Sequence, residues 1–231
     1  MTKAVVLFSG GIDSTTALSW ALSKAKDVHA LTFDYGQRHR IEVRMAGKAA
    51  RRLGIPWTVL KIDLKQVGGS ALTDGTIALP RYKKLSEIKA GPPATYVPFR
   101  NGILLALAAA WAEARHIHEI VCGFNVIDSP DYPDTRPDFV RAMEKAVNAG
   151  TKAVRGEEKI KIIAPFVRLK KSEIIRLGLS LGTDYAFSVS CYAGNEMPCR
   201  GCSSCLLRER AFAEVGVPDP LIARLEKEGK R

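Results

Sequence analysis

No stretch of this 231-residue chain is apolar for the roughly 18 residues a membrane-crossing helix needs. The longest run, Ile103 to Ala112, is too short and is rich in alanine. There is no internal repeat, no low-complexity linker and no cysteine framework spread along the chain. A solenoid, a disordered tail and a disulfide-stapled miniprotein are thereby excluded. Glutamine is scarce, at Gln37 and Gln66 alone, a trait shared with heat-adapted proteins. What is present is an ordinary globular balance, 46% hydrophobic and 26% charged residues, at a length that suits one domain with or without an appendage. The first apolar run, Ala4 to Phe8, ends in a glycine turn and reads as a strand rather than a leader, so the chain is expected in the cytoplasm.

Acidic residues are outnumbered 24 to 35, for a net charge of +11. Residues 38 to 61 carry seven basic side chains and one acidic, and residues 152 to 176 carry eight and three. These two segments hold the whole excess. Such a field draws in polyanions such as nucleotides, pyrophosphate or RNA, although the same charges also serve simply to solvate helix faces. Charge alone does not separate a nucleotide substrate from an RNA partner.

Hydrophobic period and glycine punctuation alternate strand and helix from the start. Strands are predicted at 4–8, 28–33, 57–62, 119–123 and 160–164, and helices at 14–24, 41–53, 100–115, 137–149 and from 172 onward. Strands separated by helices imply right-handed crossovers and a parallel sheet covered on both faces, an α/β class. Residues 63–98 break the pattern with prolines and glycines, and are expected to form a lid or binding loop. Past residue 185 the strands stop. The expected organisation is an α/β domain over 1–185 and a small cysteine-bearing segment with helices over 186–231.

Between the first strand and first helix lies Ser9-Gly10-Gly11-Ile12-Asp13-Ser14-Thr15. In a parallel sheet this is the ligand edge. Two glycines let the backbone approach an anion closely, and free amides at a helix start point toward it. The loop lacks the Gly-Lys-Ser or Gly-Lys-Thr ending of a Walker A motif and the third glycine of a dinucleotide fingerprint. Its Ser-Gly-Gly-x-Asp-Ser pattern instead resembles the PP-loop of ATP pyrophosphatases, which implies release of AMP and pyrophosphate. The ATP-binding span is therefore taken as Phe8, Ser9, Gly10, Gly11, Ile12, Asp13, Ser14, Thr15 and Thr16, with Asp13 steering Mg²⁺ or the loop itself.

Four of the five cysteines, Cys191, Cys199, Cys202 and Cys205, fall within fifteen residues. Four thiolates in tight turns suit tetrahedral structural zinc. An iron–sulfur cluster and a redox Cys-x-x-Cys pair use the same residues. Arg200, Arg208 and Arg210 are read as countercharge for the centre. Cys122 reads as an ordinary buried residue, and the four histidines show no ligand spacing and are assigned no role.

Loop and cysteines together resemble one family along essentially the whole chain, the 7-cyano-7-deazaguanine synthases. The intervening motifs agree: Tyr35-Gly36-Gln37-Arg38-His39, Tyr96-Val97-Pro98-Phe99-Arg100-Asn101, Tyr132-Pro133-Asp134, Lys171-Ser172-Glu173-Ile174 and Ser190-Cys191-Tyr192. Three departures stand out. Phe99 replaces the usual glycine, Arg200 stands where glycine often follows the second cysteine, and Ser129-Pro130 replaces a commoner Ser-Gly.

The resemblance implies a Rossmann-like fold of the adenine nucleotide alpha hydrolase type, with a terminal structural Zn²⁺ site. It implies ATP-dependent conversion of 7-carboxy-7-deazaguanine and ammonia into the nitrile, through an adenylated acid and an amide. The nitrile is the precursor of queuosine and archaeosine. Asp13, Ser14 and Arg100 are then the expected catalytic residues. Tyr35, Arg38, Asn101, Asp128, Asp131 and Asp134 are the expected substrate contacts, and Tyr35 or Phe124 could stack on a ring. A homodimer is implied, with free ammonia as nitrogen source and no membrane or stable nucleic-acid partner. Two rivals share parts of the pattern. A PP-loop enzyme of the thiolation or lysidine type would act on tRNA directly. A non-catalytic zinc module would bind RNA in a salt-dependent way without ATP turnover.

Overall fold

Five short strands carry the architecture: β1 (Lys3–Leu7), β2 (Asp27–Asp34), β3 (Trp57–Lys61), β4 (Glu119–Cys122) and β5 (Lys161–Ile163). The computed structural model describes residues 1–128, 131–156 and 159–230; the Ser129-Pro130 departure lies outside them. All strand pairs are parallel, in the order β3-β2-β1-β4-β5. Central β1 pairs Val6 with Ala30 on one side and with Val121 on the other. It is buried on both faces, as an unbroken apolar run in a parallel sheet must be.

Side-chain alternation divides the core in two. Val5, Leu31, Phe33 and Ile120 face α3 (Arg100–Glu113) and α4 (Pro137–Gly150), meeting Leu105, Ala109 and Val140. Ala4, Val6, Val28 and Val121 face α1 (Ile12–Leu22), α2 (Ile41–Arg52) and α5 (Lys171–Ser180), meeting Leu18, Ala46 and Ile174. Helices thus cover both faces, as the strand–helix alternation requires. Among the described residues, no helix is long and apolar enough to cross a membrane.

The stretch at 63–98 is largely irregular, with one 3-10 turn at Leu85–Glu87. It is nonetheless packed down: Leu64, Ala71, Leu72 and Val97 are buried. Arg38 donates to the carbonyls of Gly75 and Ile77, and the Tyr82 amide donates to the Gly201 carbonyl at 2.7 Å.

The C-terminal segment adds α6 (Ser203–Val215) and α7 (Pro220–Lys227). Phe212 of α6 packs with Ile12, Ile175 and Tyr185, and Leu221 and Leu225 of α7 pack with Ile41 and Met45. Arg208, almost wholly buried, forks onto both oxygens of Asp219 and also donates to the Ser188 carbonyl and hydroxyl. Residue 185 therefore marks a change of chemistry rather than a break in packing.

Both described departures from the family motifs fall on left-handed backbone. Phe99 has φ +52° and Arg200 has φ +52°, a region where a Cβ costs about 1–2 kcal/mol and glycine costs nothing. Phe99 caps α3 from that conformation, with its ring over Gly102 and edge-on to Phe139.

Candidate ATP cleft and metal centre

Neighbouring β1 and β4 send their following helices to opposite faces of the sheet, which opens a crevice beyond their carboxyl ends. The PP-loop after β1 and the Gly123-Phe124-Asn125 turn after β4 meet there. Two glycines make the meeting possible. Gly10 has φ +86°, and a Cβ on it would come within 3.0 Å of the Glu42 carbonyl. A Cβ on Gly123 would lie 2.6 Å from the Asp13 carbonyl carbon. The resulting cleft is about 270 Å³ and is lined by Phe8, Ser9, Gly11, Ile12, Asp13 and Ser14 on the loop side.

The loop is held open by its own hydroxyls. The Gly10 amide donates to Ser14 Oγ at 3.1 Å, and the Gly11 amide to Ser9 Oγ at 3.3 Å. Phosphate oxygens can take over both bonds, helped by the α1 dipole. Asp13, in the first turn of α1, receives Lys171 Nζ on both carboxylate oxygens, at 2.8 and 2.6 Å. Lys171 comes from the start of α5, across the cleft.

The opposite wall is built on Arg100, the first residue of α3. Its guanidinium donates to the Tyr35 hydroxyl at 3.3 Å and lies over that ring at 5.7 Å. Burial pushes the Tyr35 hydroxyl up to about 12, against the pull of Arg100, so it remains a phenol at neutral pH. Asn101 beside it accepts from Arg100 on its side-chain oxygen, donates its backbone N–H to Asp134 Oδ2 at 2.9 Å, and lines the cleft.

Near the cleft mouth the four cysteine sulfurs all lie within 4.8 Å of one another. A tetrahedral Zn–S site at about 2.3 Å would bring them to about 3.8 Å, a small contraction. The Cys199 amide already donates to Cys191 Sγ at 3.3 Å. Four soft donors around one point fit a metal ion. Ser190 and Tyr192, on either side of Cys191, line the cleft.

The family model described as "Queuosine biosynthesis protein QueC" matches residues 3–216. This chain belongs to that family. A relative in Nostoc punctiforme, named 7-cyano-7-deazaguanine synthase, is 47% identical over 95% of this chain and 99% of its own. One of the same name in Thermoplasma volcanium is 44% identical over 95% and 90%. Solved structures share the fold at lower identity. A 4-thiouridine synthetase crystallised with RNA and ATP has TM-score 0.50 and 22% identity, covering 97% of this chain and 53% of its own. A predicted tRNA methyltransferase subunit from Methanocaldococcus jannaschii has TM-score 0.50 and 19% identity, covering 78% and 75%.

Within this QueC-family chain the expected site residues divide. Asp13, Ser14, Arg100, Tyr35, Asn101 and Phe124 line the cleft. Thr15 and Thr16 do not: their hydroxyls bond back to the Gly11 and Ile12 carbonyls, and Thr16 also meets the buried Tyr185 hydroxyl at 2.7 Å. A helix turns successive side chains about 100° apart, so positions 14 to 16 cannot all face one ligand.

Several expected substrate contacts are spent on structure. Arg38 ties down the 63–98 stretch. Asp128 accepts from Arg210 Nη2 and from the Lys171 amide at the start of α5. Asp134 caps α3, with Oδ1 buried and unpartnered. Asp131 is not among the cleft residues. The countercharge expected of Arg208 and Arg210 is corrected, since both point into ion pairs with Asp219 and Asp128. Arg81 from the 63–98 stretch stands beside Gly201 instead. Missed by sequence reasoning were Lys171, His39, Glu42, Ser190 and Tyr192, all lining the cleft. All but Glu42, which lies three residues past His39, sit inside a quoted motif, the one signal that could have found them.

Proposed function

We propose that this chain is a 7-cyano-7-deazaguanine synthase, converting 7-carboxy-7-deazaguanine, ammonia and ATP into the nitrile. The observation that carries this reading is similarity to relatives of that name over 95% of the chain, laid on a cleft that the PP-loop and the half-buried Arg100 line together. A carboxylate is a poor electrophile, and both of its oxygens must leave. Adenylation turns the first into a leaving group, ammonia displaces AMP to give an amide, and a second adenylation precedes loss of the amide oxygen and two protons.

In this reading the amides of Gly10 and Gly11 and the Ser9 and Ser14 hydroxyls hold the pyrophosphate end of ATP. Arg100 faces the reacting carboxylate and the charge that develops as pyrophosphate leaves, and Tyr35 and Asn101 keep it there. Asp13 would hold Mg²⁺, which would supply charge neutralisation at the phosphates, and Lys171, now on Asp13, would then be free to turn to the phosphate oxygens. Zinc at the four cysteines is structural, and their reduced state suits the cytoplasm. Lys171→Gln is expected to raise the KM for ATP about tenfold to a hundredfold, the weight of a lost charged hydrogen bond; ATP–pyrophosphate exchange measures it.

The whole reading is tested by mass spectrometry of a reaction holding ATP, Mg²⁺, ammonia and 7-carboxy-7-deazaguanine. The nitrile with AMP is the expected product. ATP binding without amide or nitrile would keep the PP-loop and overturn the substrate, and tRNA would be tried next.

A further inference from the structure

One carboxylate in the cleft carries no lysine or arginine. The acids lining it, among the described residues, are Asp13 and Glu42, and Asp13 is covered by Lys171. Glu42 projects from the first turn of α2 and is largely buried. Two side chains grip one of its oxygens: Oε1 accepts from Gln37 Nε2 at 3.3 Å and lies 3.2 Å from His39 Nε2. Gln37 is itself fixed, accepting from the Tyr35 amide and donating to the Phe33 carbonyl. His39 is buried and tilted against Tyr192. Oε2 has no bond partner among the described residues and is left to the cleft. The carboxylate also bears electrostatically on the Tyr35 hydroxyl, and so lies on the Arg100 side.

A carboxylate oxygen without a donor is costly in a pocket built for polyanions, unless a cation is meant to meet it. On the reading proposed above, the reaction has a cationic co-substrate. At neutral pH ammonia is mostly ammonium, which has no lone pair with which to attack.

We infer that Glu42 is the catalytic base of the ammonia step, binding ammonium through Oε2 and taking a proton from it, with Gln37 and His39 as positioning residues. The freed lone pair attacks the acyl carbon of the adenylate and the C–N bond forms. The C–O bond to AMP breaks, its electron pair leaving on the phosphate oxygen, and a second proton passes from the new nitrogen to water. Glu42 returns its proton to water before the next turn.

Glu42→Gln keeps the shape and removes the base. At pH 7, nitrile formation from ammonium is expected to fall about a hundredfold or more, while ATP–pyrophosphate exchange stays within about threefold of the parent. The deficit should narrow as pH rises and free ammonia accumulates. Hydroxylamine is already an unprotonated nucleophile at neutral pH, and should trap the adenylate as hydroxamate at the parent rate. Glu42→Asp, with its carboxylate drawn back, should recover part of the ammonium-dependent rate. An equal loss of exchange or of hydroxylamine trapping would overturn the inference, as would a raised Mg²⁺ requirement for exchange, which would make Glu42 a metal ligand. If the unsubstituted protein makes neither amide nor nitrile, the substrate reading fails instead, and that outcome is separate.

Discussion

Chelation of the unsubstituted protein, or Cys202→Ser, is expected to lower the thermal midpoint by about 10–20 °C. A structural zinc in a small site contributes about 10–16 kcal/mol of apparent binding energy. Losing even about 5 kcal/mol of that moves a chain of this size by such an amount. The segment around the cysteines has little else to hold it. Its buried cluster consists of Cys191, Cys202 and Cys205 with Tyr192 and Cys199 at the edge, so without an ion the core there is four thiols. The damage should reach the cleft, because Ser190 and Tyr192 flank Cys191 and line it. Calorimetry with metal analysis checks this. One equivalent of zinc in a colourless protein is expected, against the brown of an iron–sulfur cluster. A metal-free sample with an unchanged midpoint would remove the structural role.

Gly123→Ala should be nearly as damaging, for a different reason. The added methyl would lie 2.6 Å from the Asp13 carbonyl carbon, 2.7 Å from its oxygen and 2.9 Å from the Ser14 nitrogen. All three are backbone atoms, so no side chain can swing aside. Either β4 shifts or the PP-loop does, at a cost of about 3 kcal/mol or more, or about 6–12 °C. ATP affinity should fall by more than tenfold. Gly150→Ala is the control. Its methyl would meet nothing within 4 Å, at the end of α4, so stability should be unchanged or slightly higher. Calorimetry and ATP titration of both variants give the comparison, and equal behaviour would show that the loop tolerates displacement.

Much of this molecule is legible without coordinates because its signals are local. Apolar runs such as Ala4 to Phe8 can only be buried strands, glycine and proline mark where they end, and the alternation with helices dictates a parallel sheet. The Ser-Gly-Gly-x-Asp-Ser loop and the four cysteines carry their chemistry within a few residues, so their spacing suffices to mark a candidate anion site and a candidate metal site. Other facts depend on which distant elements come together. Lys171 reaches Asp13 across 158 residues of chain. Asp128, Asp134 and Thr16 look like ligand donors in a line of text, but are consumed by a helix start, a helix cap and the core. Glu42 looks like an ordinary charge at the head of a helix until α2 sets it against the loop and Gln37 and His39 claim one of its oxygens. Local sequence determines which face a residue occupies and what it can donate or accept. Which partner reaches it first is decided only when the sheet closes and every buried polar group must find its bond.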